Sequence, residues 1–282
     1  RAMTKALIQI FQTVGRATLG VQISLLMLLM LCGMAIFGPL VSPYGETKIV
    51  GSAYAQWSSE FVLGTDAIGR DILSRLIYGA RNTIGIAFIG TALAFLIGTT
   101  LGVSSVLAGG WVDQLLGRIF DMLIAIPQLI MALLVLAIVG TSVETLIGVI
   151  AVVDSTRVYR VARAATLSVA VQDFVESARV RGESMRTILF GEVLPNVTLP
   201  LFTEFGVRFS SVFLFISSLS FLGLGVQPPF ADWGSMVKEY APLLAFGEIT
   251  PLIPAVTIAA LTISVNVVVD WALRLHTAGF GR

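Results

Sequence analysis

The sequence predicts an all-α membrane protein with six transmembrane helices and both termini in the cytoplasm, and three observations lead there. Only 12% of the 282 residues are charged while 56% are apolar, against about 25% charged in soluble domains, and the mean hydropathy is +0.91. A surface so poor in charge faces hydrocarbon over most of its area. Six apolar runs lie near 18–41, 82–108, 117–140, 143–165, 200–222 and 250–274, each close to the roughly 20 residues that a bilayer core requires of a helix. Basic residues are also divided unevenly between the two sides that these spans define. Arg1, Lys5, Arg16, Arg118, Arg157, Arg160, Arg163, Arg179, Arg181, Arg186, Arg274 and Arg282 fall on the side of the N-terminus, whereas Lys48, Arg70, Arg75, Arg81 and Lys238 fall on the other and Arg208 lies within a span. The richer side is the cytoplasmic one.

Residues 1–17 form a cytoplasmic segment in which Leu7, Ile10, Phe11 and Val14 recur at helical spacing, an amphipathic helix suited to the inner interface. The first span, 18–41, is too long for a signal-peptide core and is retained; Met27, Met30 and Met34 within it are packing or lipid-facing residues. The extracytoplasmic loop 42–80 opens on Pro43, Tyr44 and Gly45, then places Ile68, Ile72, Leu76 and Ile77 on one face, which predicts a surface helix packed on the bundle. Asp66 with Arg70, and Asp71 with Arg75, stand there as i,i+4 pairs. The second span carries Gly98 and Gly102 at a spacing that suits close helix packing. Charges enter the fourth span at Asp154, Arg157 and Arg160. Asp154 with Arg157, and Glu204 with Arg208, are placed to pair near the cytoplasmic ends of spans four and five. Asp121 and Asp270 either line a polar path or sit at the interface. The loop 166–199 is the only internal cytoplasmic one long enough for two short helices. Gly223, Gly225, Pro228, Pro229 and Gly234 keep the outer loop 223–249 from continuing as a membrane helix. A cytoplasmic tail, 275–282, ends the chain.

Several function classes are closed by inventory. A net charge of +1 without runs of like charge gives no field for nucleic acid. Cys32 and His276 are the only residues of their kinds, so neither an intramolecular disulfide nor a thiolate cluster or His-pair metal site can be built, and an intramembrane serine protease lacks an embedded base. An aspartyl signature is absent too, since Gly223-Leu224-Gly225 is followed by Val226. Lys5, Lys48 and Lys238 lie in no phosphate-binding P-loop. A secondary transporter using Asp121 or Asp154 as a proton carrier is a minor alternative that would need no ATPase.

The cytoplasmic loop reads Glu176-Ser177-Ala178-Arg179-Val180-Arg181-Gly182, and after nine residues Glu192-Val193-Leu194-Pro195. Small side chains at 177 and 178 allow a helix face to approach a partner, Gly182 allows a sharp turn between two short helices, and Pro195 and Pro200 restart the chain toward the fifth span. The pattern resembles the EAA loop of ABC-importer permeases, with Ser177 in place of the usual first alanine and Glu192 where an apolar residue is commoner. Three further segments sharpen the likeness. They are Phe37-Gly38-Pro39-Leu40-Val41-Ser42-Pro43-Tyr44, the run from Leu63-Gly64-Thr65-Asp66 to Arg75-Leu76, and Ser220-Phe221-Leu222-Gly223-Leu224-Gly225-Val226-Gln227-Pro228-Pro229 with Asp232-Trp233-Gly234. Together they look like the second permease subunit of dipeptide, oligopeptide and nickel importers over about 18–272; that family's usual C-terminal ending is not evident after Asp270-Trp271.

The resemblance implies a type I ABC importer permease fold with 81–274 as its transmembrane core. It implies that coupling to ATP hydrolysis runs through Glu176, Ser177, Ala178, Arg179, Gly182, Glu183, Leu194 and Pro195. It implies docking of a binding protein near Asp66, Arg70, Asp71, Gln227, Pro228, Asp232 and Trp233. The implied partners are a homologous second permease, two cytoplasmic ABC ATPases, an extracytoplasmic solute-binding protein and the lipid bilayer, in a bacterial or archaeal inner membrane. No cofactor or metal is implied for this chain itself; ATP and Mg belong to the ATPases. The implied cargo is a di- or oligopeptide, with nickel chelates, opines, glutathione and oligosaccharides as alternatives.

Overall fold

The computed structural model describes residue 15 and residues 17–279. The expected amphipathic helix at 4–16 therefore lies almost wholly outside the described residues. The helices are α1 (Leu19–Val41), α2 (Ile72–Ala108), α3 (Gly110–Ala125), α4 (Gln128–Val139), α5 (Val143–Ala170), α6 (Asp173–Val180), α7 (Leu194–Phe221), α8 (Trp233–Tyr240) and α9 (Leu252–Gly279). A helical turn, Met185–Thr187, and a π-helical turn, Ile188–Val193, lead into α7, and a 3-10 turn, Ala241–Phe246, follows α8.

Among the described residues, four helices are long and apolar enough to cross a membrane: α1, α2, the Pro200–Phe221 part of α7 and the Leu252–Leu275 part of α9. The expected third span is broken. α3 and α4 meet at 86°, because Pro127 has no N–H to donate and its ring drives Ile126 into extended backbone (φ −80°, ψ 125°). Counted as one span, this bent pair makes a fifth. The expected fourth span lies in α5, whose Asp154, Arg157, Arg160 and Arg163 set it apart from the four apolar helices.

The expected surface helix over 68–77 is also corrected. Residues 51–71 are turns and short bridges, with Ile68 about half exposed. Gly69 has φ +85°, and a Cβ there would strike the Gly51 carbonyl, so a helix cannot pass through this point. Helical backbone starts only after Asp71, whose carboxylate caps α2 by accepting from the Ser74 N–H at 2.8 Å. Ile72, Leu76 and Ile77 are thus the first turns of a 37-residue helix, which at 1.5 Å per residue measures about 55 Å, well beyond a hydrocarbon core of about 30 Å.

The main packing seam joins α2 to α5. Gly90, Ala94, Gly98 and Gly102 recur every fourth residue and present a flat stripe. A Cβ on Gly98 would lie 2.7 Å from the Ser155 carbonyl and 2.8 Å from the Tyr159 N, and one on Gly102 would lie 2.8 Å from the Tyr159 carbonyl. The two backbones approach this closely only because nothing stands between them. Around the seam, Leu146, Ile150, Phe213, Ile216, Leu219, Leu261 and Trp233 form the main core. A second cluster gathers Val103, Leu107, Ala162, Val175, Ala178, Ile188 and Val197 at the C-terminal ends of α2 and α5. Gly85, on the same α2, has open space around its missing Cβ. Gly98→Ala is therefore expected to lower the thermal unfolding midpoint in detergent, whereas Gly85→Ala leaves or raises it through helix propensity. Equal effects of the two would contradict the seam.

Candidate functional site

Two regions carry the residues singled out in the sequence, at opposite ends of α2. At its C-terminal end, α5 stops at Ala170 and the chain turns through Val171 and Gln172 into α6. Asp173 and Glu176 occupy the first turn of α6 and Arg179 the last, an order that complements the helix dipole. The helix ends at Gly182 (φ +77°). There the Gly182 N–H donates to the Arg179 carbonyl at 2.9 Å and the Glu183 N–H reaches back to the Ala178 carbonyl at 3.2 Å, closing the helix with a left-handed residue as glycine best allows. Arg181 braces the turn by donating to Glu183 Oε1 from Nε at 2.9 Å and Nη2 at 2.7 Å. Ser184 then caps Met185–Thr187, accepting from the Thr187 N–H at 3.2 Å.

This elbow has an inner and an outer side. Val175, Ala178, Ile188 and Val193 point into the second core cluster. Ala178 is thus a packing residue, while Glu176, Ser177, Arg179 and Gly182 are exposed. The sequence reading expected two short helices followed by a restart at Pro195 and Pro200. Instead the second arm runs without a break from Met185 through the π turn into α7, with Pro195 in its first turn and Pro200 within it; Leu194 is half-buried. Val171, Phe174, Val180, Met185 and Phe190 are exposed, Val180 to 83%. The reading missed this apolar face. Large apolar residues in an otherwise charged loop were the signal available for it.

At the other end of α2, the charges expected to meet a partner are instead used inside the chain. Asp66 is buried and receives Arg70 Nε at 2.6 Å and Arg75 Nη1 at 2.8 Å. The same guanidiniums reach Glu239 of α8, Arg70 at 3.1 Å and Arg75 at 2.8 Å. Arg75 also donates to the Tyr240 hydroxyl at 3.1 Å, and burial pushes that hydroxyl above the usual phenol range. Asp71 does not pair with the Arg75 side chain, because its carboxylate is committed to the α2 cap. Asp232 caps α8, accepting from Gly234 and Ser235 N–H groups at 2.9 and 3.1 Å; burial raises its carboxyl while these bonds oppose the rise. Trp233 is fully buried, with Nε1 donating to the Leu76 carbonyl at 2.9 Å and its ring edge-on to Phe213. Of the seven residues expected at a docking surface, only Gln227 and Pro228 are exposed. Asp66, Arg70, Asp71, Asp232 and Trp233 build the platform beneath the outer loops rather than its contact face. Glu239 and Tyr240 complete that platform and went unrecognised in the sequence.

Within the bundle, Glu204 and Arg208 pair at 2.6 Å as expected. Asp154 and Arg157 are looser at 3.5 Å, since Arg157 turns instead to Gln128 beside the break between α3 and α4.

Comparison with known proteins adds what geometry alone does not. Residues 94–281 match the family of binding-protein-dependent transport system inner membrane components. A dipeptide transport system permease protein of Alkalihalophilus pseudofirmus is 32% identical over 243 residues, covering 84% of this chain and 78% of the relative. A dipeptide permease of Haemophilus influenzae is 32% identical over 89% of this chain and 88% of its own length. A glutathione transport system permease of Pectobacterium atrosepticum is 31% identical over 87% of this chain and 82% of its own length. Among solved structures, a chain of the inward-facing MetNI methionine ABC transporter superposes with a TM-score of 0.59 at 17% identity, over 71% of this chain and 95% of that one. That likeness shows the fold.

The outer network yields a direct expectation. Asp66→Asn leaves two guanidiniums short of a buried carboxylate, a loss of about 3–5 kcal/mol by analogy with other broken buried pairs. The variant should unfold at lower temperature in detergent with no partner present. An unchanged midpoint would show that the network does not hold the outer loop to α8.

Proposed function

Because this chain belongs to the family of binding-protein-dependent transport system inner membrane components, we propose that it works as one of two permease subunits of an ABC importer for di- or oligopeptides. It would cross a bacterial or archaeal inner membrane six times with both termini in the cytoplasm, α5 and the bent α3–α4 pair supplying the two spans that the four apolar helices leave unassigned. Its partners would be a homologous permease, an extracytoplasmic binding protein on the outer loops, and two ATPases that use ATP and Mg on the cytoplasmic side. The peptide cargo is supported by the dipeptide permeases among its relatives; the glutathione permease is itself a carrier of a peptide-like substrate.

The observation that carries the coupling role is the elbow. α6 turns an apolar and charged face outward while Val175 and Ala178 fix its back to α2, α5 and α7. A force on that face passes into α7 through continuous helix, with no flexible joint after Ser184. Closure of an ATPase pair on ATP would therefore swing the spans rather than bend a loop, and hydrolysis would release them.

Two experiments check this. Phe174→Asp with Val180→Asp changes exposed side chains, so the chain should still insert and assemble, yet peptide uptake into proteoliposomes holding the whole importer should fall to background. Removing residues 176–186 should do the same. Full uptake by either variant would remove the coupling role from α6.

A further inference from the structure

One cavity serves none of the contacts described so far. It lies between α3 and α5, measures about 590 Å3, and is open to one side; Asp113, Gln114, Arg118, Asp121, Arg160 and Arg163 line it together with the Tyr159 ring, Gly117 and Ala164. The volume falls in the roughly 300–1,000 Å3 range of small-molecule sites. Its floor is fixed. Arg163 grips Asp113 with two bonds, Nε to Oδ1 and Nη2 to Oδ2, both 2.6 Å, and Phe120 stacks on Tyr159 with ring centroids 4.0 Å apart. Above this floor Arg118, Asp121 and Arg160 are exposed, and among the described residues none of the three has a hydrogen bond or ion pair. The polar residues of α3, at 113, 114, 118 and 121, follow one helical face with Gly117 between them, so the cleft is a property of the sequence pattern and not of one rotamer.

Charged side chains at this level of a membrane bundle face water or a partner, not lipid tails, so a polar solute can reach the cleft. Arg163 bonds directly to Asp113 and also lies in the field of Asp121, which leaves two guanidiniums and one carboxylate without a direct bond to another side chain. A site for an anionic lipid headgroup has no use for the carboxylate. A peptide with free ends uses all three. We propose that this cleft is a way station for a short peptide in transit, Arg118 and Arg160 receiving its terminal carboxylate and Asp121 its terminal ammonium. The proposal rests on the peptide reading above and deepens it. Hydrated single ion pairs hold such a ligand weakly, which a transport path needs, because a solute bound tightly there would not leave.

The test uses the assembled importer in nanodiscs without binding protein, exposed to a photoreactive dipeptide with free ends that carries benzoylphenylalanine. Labelling should fall within 113–121 or 159–164 and should be competed by an unlabelled dipeptide but not by its N-acetyl amide. Arg118→Gln with Arg160→Gln should cut labelling up to about five-fold, the upper end of the loss when one exposed ion pair is removed, while the corresponding double lysine variant, which keeps the charge, should retain most of it and so excludes misfolding as the cause. Asp121→Asn should weaken competition by the free dipeptide without changing that by its N-acetyl form. Labelling insensitive to the glutamine variant, equal competition by the N-acetyl amide, or displacement by phosphatidylglycerol instead of dipeptide would each overturn the proposal. Dipeptide uptake by the wild-type importer with its binding protein is measured in parallel. Uptake without site-specific labelling sinks the way station alone, whereas absence of uptake removes the peptide reading with it.

Discussion

The close approach of α2 to α5 is the constraint on which the other features hang. Gly98 and Gly102 allow the two backbones to touch at Ser155 and Tyr159, and this contact turns a helix of 37 residues into a fixed strut. Its N-terminal end carries Arg75 into the outer ionic network, and its C-terminal end offers Val103 and Leu107 to the elbow. α5 in turn holds Arg160 and Arg163 at the cleft and delivers the chain to α6. A shift along the seam would therefore move the outer platform, the cleft and the elbow together. That is the mechanical property a membrane subunit needs if events on one side are to be felt on the other.

The outer network and the elbow solve opposite problems with the same residue types. Around Asp66, Arg70 and Arg75 are buried with the carboxylate while Glu239 closes the network from the partly exposed side, which fixes geometry and leaves little charge for a partner. Around α6 the backbone does the fixing, through the glycine turn and the small apolar core, and most of the charged side chains remain outside. The first arrangement makes a platform, the second a handle.

Much of this was legible in the sequence. The apolar runs located α1, α7 and α9, and the spacing from Glu176 to Pro195 located the elbow, because both signals are local and periodic. What failed was of two kinds. Pro127 lies in plain view, but composition over a window of 20 residues averages over a single missing N–H, so the third span read as continuous. The role of Asp66, Arg70 and Arg75 depends on Glu239, more than 160 positions away in the chain, and an i,i+4 pair in a loop gives no sign of whether it is solvated or enclosed. Gly69 shows the intermediate case. Its type hints at a turn, yet only the approach of the Gly51 carbonyl makes that turn obligatory.

In the proposed function, the outward face of α6 is where the membrane subunit is driven. The most direct measurement is disulfide crosslinking in inside-out vesicles of the assembled importer, using Val180→Cys in a Cys32→Ser background against single cysteines placed along the ATPase surface. The coupling role predicts an efficient crosslink to one cleft of the ATPase, with a yield that changes on adding ATP and with transport lost once the bond forms. A cysteine at 180 that crosslinks nowhere on the ATPase, or a crosslinked importer that still transports, would contradict it.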